Sequence, residues 1–239
     1  MLSGLKKTTT IKDHGDSVGG RQVLESGLYK MNIKTAYIGK SARGSMTLDL
    51  QLEGTKGQHL NQTIYLTSGD AKGNKHTYKD KQGDDQYLPG FSLGNSVAQL
   101  TLDKDISELV EEEKVIKLWN YDEKAELPTK VNMLTELLGK DIIVGVQKQI
   151  VDINVKDATG SYVPGGETRE QNEIDKFFNI DSQLTTTEIA ANAADPVFIQ
   201  TWGDKWTGKT RDRSTKITGT PGAPSTMGAT AQTKSLFKD

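Results

Sequence analysis

The chain has 239 residues, with 30 Lys plus Arg against 32 Asp plus Glu, a formal net charge of −2, 34% hydrophobic residues and 24 glycines. Such a composition provides for one folded domain with appendages around a modest core, and leaves little room for two enzyme domains. With no Cys, and with three histidines dispersed at His14, His59 and His76, it excludes thiolate zinc sites, disulfide frameworks, thiol catalysis and iron–sulfur clusters.

In chain order, residues 1–25 are polar and lack a sustained period, so they are expected to form a flexible N-terminal arm. A folded domain is expected over 26–206. In Leu28–Ile38, Tyr29, Met31, Ile33 and Tyr37 fall on one face of a strand and Lys30, Asn32 and Lys34 on the other. After the turn-like GKSARG, Met46, Leu48, Leu50 and Leu52 alternate with Thr47, Asp49, Gln51 and Glu53, which predicts a second, antiparallel strand. A third strand is expected over Asn61–Ser68, leading into GDAKGNKHTYKDKQGDD, a polar stretch with the residues of a long, mobile turn or hairpin tip.

Ser92–Leu102 and Asp105–Leu118 carry helical spacing, the second with Asp105 or Ser107 as cap. Pro128 punctuates the loop WNYDEKAELP. Val131–Leu138 reads as a short turn or strand, and Lys140–Ile153, rich in Val and Ile, as a buried strand followed by a hairpin turn in KDATGSY. Short helices are expected over Thr168–Phe178 and Thr185–Ala194, the latter with Thr185 and Glu188 as a capping box. From Thr207 onward Gly, Pro, Ser, Thr and Ala dominate, so 207–239 is expected to be a disordered, low-complexity tail. The whole is mainly β: short strands with a helix between the third and fourth fit an OB-like, five-stranded barrel with a few short helices. A β-sandwich or an open α+β sheet tolerates the same pattern.

No run of about 18 apolar residues is present, and Met1–Thr10 lacks the apolar segment of a signal peptide, so a soluble, intracellular protein without a membrane partner is expected. No Ser occupies a Gly-x-Ser-x-Gly elbow. Gly203–Thr210 matches the phosphate-loop pattern G-x-x-x-x-G-K-[ST], but that chemistry needs a preceding strand and a following helix, and RDRSTKITGTPGAPS breaks any helix. The acids Glu108–Glu113 and Asp84–Asp85 fit a solvated face and a turn better than a metal-dependent nuclease. Neither an enzymatic activity nor a cofactor is expected.

Aromatic residues beside cations carry more. Tyr29-Lys30, Lys75 to Lys79, Lys117 to Tyr121, Lys176 to Phe178 and Trp202 to Trp206 combine rings that stack on bases with charges that track phosphates. A Tyr or Phe on a strand is more often core, so Tyr29 and Phe177 are expected there. Tyr78 and Tyr162 lie in polar, turn-rich segments and are the better stacking candidates.

Blocks of the sequence, among them ESGLYKMNIKTAYIGKSARGSMTLDLQLE, QYLPGFSLGN, EEEKVIKLWNYDEKAELPTKVNMLTELLGKDIIVGVQKQIVDI, YVPGGETREQNEIDKFF and FIQTWGDKWTGKTRDR, span residues 25 to 213. In these the chain resembles the single-stranded-DNA-binding proteins of bacteriophage replication clusters. The resemblance implies an OB-type core, sequence-tolerant binding of single strands, and support of replication, recombination or repair in the cytoplasm of an infected bacterial host. On it, Lys30, Lys34, Lys40 and Arg43 are expected to contact DNA from the first strand and its loop, and Lys72, Lys75, Tyr78 and Lys79 to form a clamp. Lys148, Lys156 and Tyr162 contribute from the later hairpin. Many replication single-strand binders end in an acidic tail with an aromatic tip that recruits partners. Here the segment from Thr207 carries six cations against two acids, and only Phe237 matches the tip, as a candidate contact to replication or recombination proteins. The alternatives are a non-enzymatic structural or adaptor phage protein and a metal-dependent nuclease.

Overall fold

The computed structural model describes residues 23–120 and 123–215. β1 (Gly27–Lys40), β2 (Met46–Gly54) and β3 (His59–Tyr65) form an antiparallel meander. Met31 and Ile33 on β1, Leu48, Leu50 and Leu52 on β2, and Leu60 and Ile64 on β3 turn their side chains into one core. The alternation breaks once. A register shift between Ile33 and Thr35 puts Ala36 inward, so Tyr37 lies on the face opposite Met31 and Ile33 rather than with them.

The polar stretch after β3 holds a separate two-stranded hairpin, β4 (Thr77–Lys79) with β5 (Asp85–Tyr87). It leads into α1 (Pro89–Leu102), whose first turn carries Pro89 and whose Val97, Ala98 and Leu100 enter the core. The helix approaches β3 so closely that a Cβ on Gly90 would collide with the Tyr65 carbonyl oxygen. Backbone cannot yield as a side-chain tip can. Gly90→Ala is therefore expected to shift α1 and destabilise the protein by about 1–3 kcal/mol, read as a lowered thermal midpoint.

The helix expected over Asp105–Leu118 is corrected. Asp105 and Glu108 do form a capping box, but it closes only a 3₁₀ turn at Ile106–Glu108. The chain then enters β6 (Glu111–Asn120), paired with β7 (Ala125–Leu134). Cross-strand bonds, Lys130 to Glu113 at 2.7 Å and Asn132 to Glu111 at 2.8 Å, tie the acids of this segment to β7. Sheet pairing outweighed local propensity.

β8 (Asp141–Lys156) and β9 (Tyr162–Phe178) form a long hairpin. The expected helix Thr168–Phe178 is thus part of a strand. Val144 pairs with Phe177 and Val146 with Ile174, leaving one extra residue on β9. This bulge lets Ile174 and Phe177, three apart, share the core, a spacing that imitates a helix. α2 (Thr186–Ala190) starts at the expected capping box of Thr185 and Glu188. In α3 (Val197–Trp206), Trp202 is buried with Ile143 and Phe178 in a second, smaller core. β10 (Thr210–Asp212) pairs in parallel with Lys148–Ile150 of β8, so the start of the segment assigned by composition to the tail is a strand.

The eight-stranded sheet follows the path β3-β2-β1-β8 and continues to β9, with β10 beside β8 beyond the end of β1, and β7 and β6 beside the other end of β1. The fold is mainly β with short helices. Its sheet is open: β3 and β9 share no ladder, α1 packs across the gap, and Ile174 N–H donates to Gln62 Oε1 at 3.2 Å. Among the described residues, no helix is long and apolar enough to cross a membrane.

Candidate nucleic-acid interface

Four of the expected cations meet at one end of the sheet. The β1–β2 turn is tied to the segment after β3, with Asp70 N–H donating to the Arg43 carbonyl at 3.0 Å, Met46 N–H to Thr67 Oγ1 at 2.8 Å and Ser68 N–H to the Lys75 carbonyl at 2.9 Å. Gly44 takes a φ of +80° against the Asp70 carboxylate, where a Cβ would collide. This fastening brings Lys40, Arg43, Lys72 and Lys75 to one loop cluster, all exposed. None forms an ion pair among the described residues.

Beside them, the bulge in β1 builds a groove on the outer face of the meander. Tyr37, turned outward, pairs with Asp49 on β2, which pairs with Thr63 on β3. Asp49 accepts hydrogen bonds from Thr47 Oγ1 at 2.8 Å and Thr63 Oγ1 at 2.5 Å, so its carboxylate is fixed in the floor. Burial, and then the Asp49 charge, push the Tyr37 phenol above its usual range, so it stays a neutral ring with a donor hydroxyl. Leu118 and Val131 of the β6–β7 hairpin form the opposite wall, with Lys40 on the rim and Lys130 beside it, its charge met by Glu113 at 2.7 Å. At the end of β3, Tyr65 lines the groove with 56% of its surface exposed. Such a trough offers rings for bases, acceptors for their amino groups, and cations only at the edge, where phosphates run.

The other expected residues are dispersed. Lys30 is exposed on β1, Lys34 pairs with Glu53 at 3.4 Å, and Lys79 with Asp85 at 2.9 Å. Tyr78 is exposed on the small hairpin and makes no ring contact among the described residues. Lys148 lies between Glu25 at 2.9 Å and Glu170 at 3.2 Å, and its hydrogen bonds to them raise its pKa, so its charge is already matched. Lys156 and Tyr162 sit together with the ammonium 5.5 Å from the ring centre, on the part of the hairpin that runs past the end of β1. At about 3.3 Å per residue that part reaches roughly 30 Å beyond the last β1 pair. Phe237 lies outside the described residues.

Several surface groups escaped the sequence reading. Tyr65 follows inward Ile64 on β3 and must point outward, a parity that was readable. Tyr87, 59% exposed, stacks with His76 at 5.8 Å and leans on Phe91 at 5.1 Å, a cluster that joins β5 to α1 and that no local pattern announces. Trp119, from the run of rings and cations that begins at Lys117, is by contrast a group the sequence did mark, and it is 54% exposed on the β6–β7 hairpin.

The phosphate-loop match has the wrong order. Gly203 lies in the last turns of α3 and Thr210 opens β10, giving helix, turn and strand, while Lys209 Nζ donates back to the Asp204 carbonyl at 3.2 Å. No backbone cradle precedes a helix there. No protein-family model matches the chain, and the search of curated proteins finds no similar protein.

Proposed function

We propose that the protein binds single-stranded DNA, with little sequence preference, in the groove of Tyr37, Asp49, Thr63, Tyr65 and Leu118. The observation that carries this reading is the groove itself: the exposed ring of Tyr65, the half-buried ring of Tyr37 and fixed acceptors on a sheet face, with Lys40 on the rim and Arg43, Lys72 and Lys75 exposed on the neighbouring loops. The path β3-β2-β1-β8-β9, with α1 after the third strand, supports an OB-type core in which β8 and β9 serve as fourth and fifth strands. The unpaired seam between β3 and β9 is where this chain departs from a closed barrel. In this role the protein covers exposed strands during phage replication, recombination or repair in the host cytoplasm, and performs no chemistry on them.

Binding is expected to favour an oligothymidylate over a duplex of equal length, because stacking rings need unpaired bases. Equal or better duplex affinity, or cleavage of the strand with magnesium, would overturn the reading. Tyr65→Ala is expected to weaken single-strand binding by about 1–3 kcal/mol. Its thermal midpoint should not change, since the ring is mostly exposed. A fluorescence titration beside a melting curve checks both.

A further inference from the structure

A second groove begins where the first ends. Thr63 and Tyr65 line both, so the two meet over the free edge of β3. The second follows the open seam, with α1 on one side and β9, α2 and α3 on the other, and Lys176, Phe198, Arg211 and Arg213 along it. We infer that a single strand lying in the outer groove continues over Tyr65 into this seam, where Arg211, Arg213 and Lys176 hold its phosphates and Phe198 offers a ring. This inference rests on the proposed single-strand binding, which it extends to a second subsite.

The seam is built for an acceptor-rich ligand. Gln147 and Gln149, each 1% exposed, hold the guanidinium groups: Arg211 Nη1 donates to Gln147 Oε1 at 3.2 Å and Arg213 Nη1 to Gln149 Oε1 at 3.5 Å. Each fork keeps further donors for a phosphodiester oxygen. Gln147 Nε2 is buried and has no acceptor among the described residues, an unmet donor beside Arg211. Arg211 also lies 5.6 Å from the Trp206 ring centre and Lys176 5.8 Å from that of Phe198, so the cations are positioned by aromatic faces.

Three acids share the groove, and two of them are committed to fixed hydrogen bonds. Asp175 accepts from Trp202 Nε1 at 2.6 Å, and Glu188 accepts from Thr185 N–H at 2.9 Å and Phe198 N–H at 2.8 Å. The third, Glu173, faces Arg213 and Gln62; burial pushes its carboxyl up, against the pull of those two groups. A continuing strand fits better than an acidic peptide, because the seam is entered from the ring-lined groove and repeats its pairing of ring with cation.

The test compares oligothymidylates of about five and about fifteen nucleotides, near the two ends of the site sizes of single OB barrels. Arg211→Gln with Arg213→Gln is expected to leave the affinity for the short strand unchanged. For the long strand it should weaken binding and flatten log K against log salt by about 0.7 for each phosphate no longer held, about 1.4 in all. Lys176→Gln, which disturbs no strand pairing, should flatten the long-strand slope by about 0.7, and it decides the matter if the double variant loses β10. Wild-type affinity and slope for the long strand in Lys176→Gln and in the folded double variant would overturn the seam while leaving the outer groove standing. Equal weakening for both lengths would overturn it too. A wild-type protein that binds neither strand removes the functional reading, and this inference with it.

Discussion

Trp202→Ala is expected to destabilise the protein by about 3–5 kcal/mol, the usual cost of emptying a buried Trp site. Trp202 is 3% exposed and packs with Ile143 and Phe178 against the bare backbone of Gly145, where a Cβ would come within 3.0 Å of the indole ring. Its Nε1 donates to Asp175 Oδ2 at 2.6 Å, tying α3 to the bulged residue of β9. The core around Trp202 is small, so the truncation loosens the helix as well as leaving a cavity. Trp202→Phe keeps most of the buried surface but leaves Asp175 without its donor, and should cost less, about 1–3 kcal/mol. Urea unfolding followed by far-ultraviolet circular dichroism separates the two. Equal stability of the Phe and Ala variants would show that the hydrogen bond, rather than packing, anchors α3.

Period-two patterning made β1 and β2 legible, Val and Ile content made β8 legible, and cap chemistry marked the start of α2, because in those segments local preference and tertiary environment agree. The bulges were invisible. A single extra residue moves Tyr37 to the outer face of β1 and gives Ile174 and Phe177 a helix-like spacing on β9, and sequence spacing alone cannot register such an insertion. In Glu111–Leu118 the helical spacing misled: the segment is a strand laddered to β7, and Glu113 bonds across to Lys130. The candidate site divides in the same way. Lys40, Arg43, Lys72 and Lys75 were readable as loop cations, but their convergence depends on backbone bonds between two turns distant in sequence. Lys148 looked equally available until the fold set Glu25 and Glu170 against it. Arg211 and Arg213 were assigned to a tail by the composition that follows them, whereas Arg211 lies within the three-residue strand paired with β8 and Arg213 directly after it.

Two truncations should therefore behave very differently. Removing residues 216–239 takes away Lys216, Lys234, Lys238 and Asp239 and none of the described core, and the thermal midpoint is expected to stay where it is. If that segment touches phosphates, affinity falls and the salt dependence becomes shallower by about 0.7 for each phosphate released; a regulatory tail that competes for the groove gives tighter binding instead. Phe237→Ala in a pull-down of replication proteins then tests the aromatic tip as a partner contact. Cutting after Thr207 reaches into the fold. It removes the Gly208 N–H bond to the Ser26 carbonyl at 2.9 Å and the acceptor of the Ser26 hydroxyl, the Lys209 carbonyl at 2.5 Å, so the start of β1 loses its fastening. It also unpairs Lys148–Ile150 of β8 and strips the guanidinium donors from Gln147 and Gln149, two buried amides. Each orphaned buried group costs about 1–3 kcal/mol, so this shorter chain should melt well below the longer one and lose the salt dependence assigned to the seam. Identical melting of the two would mean that β10 only rests on β8, and that the cations at Arg211 and Arg213 are held by nothing the fold requires.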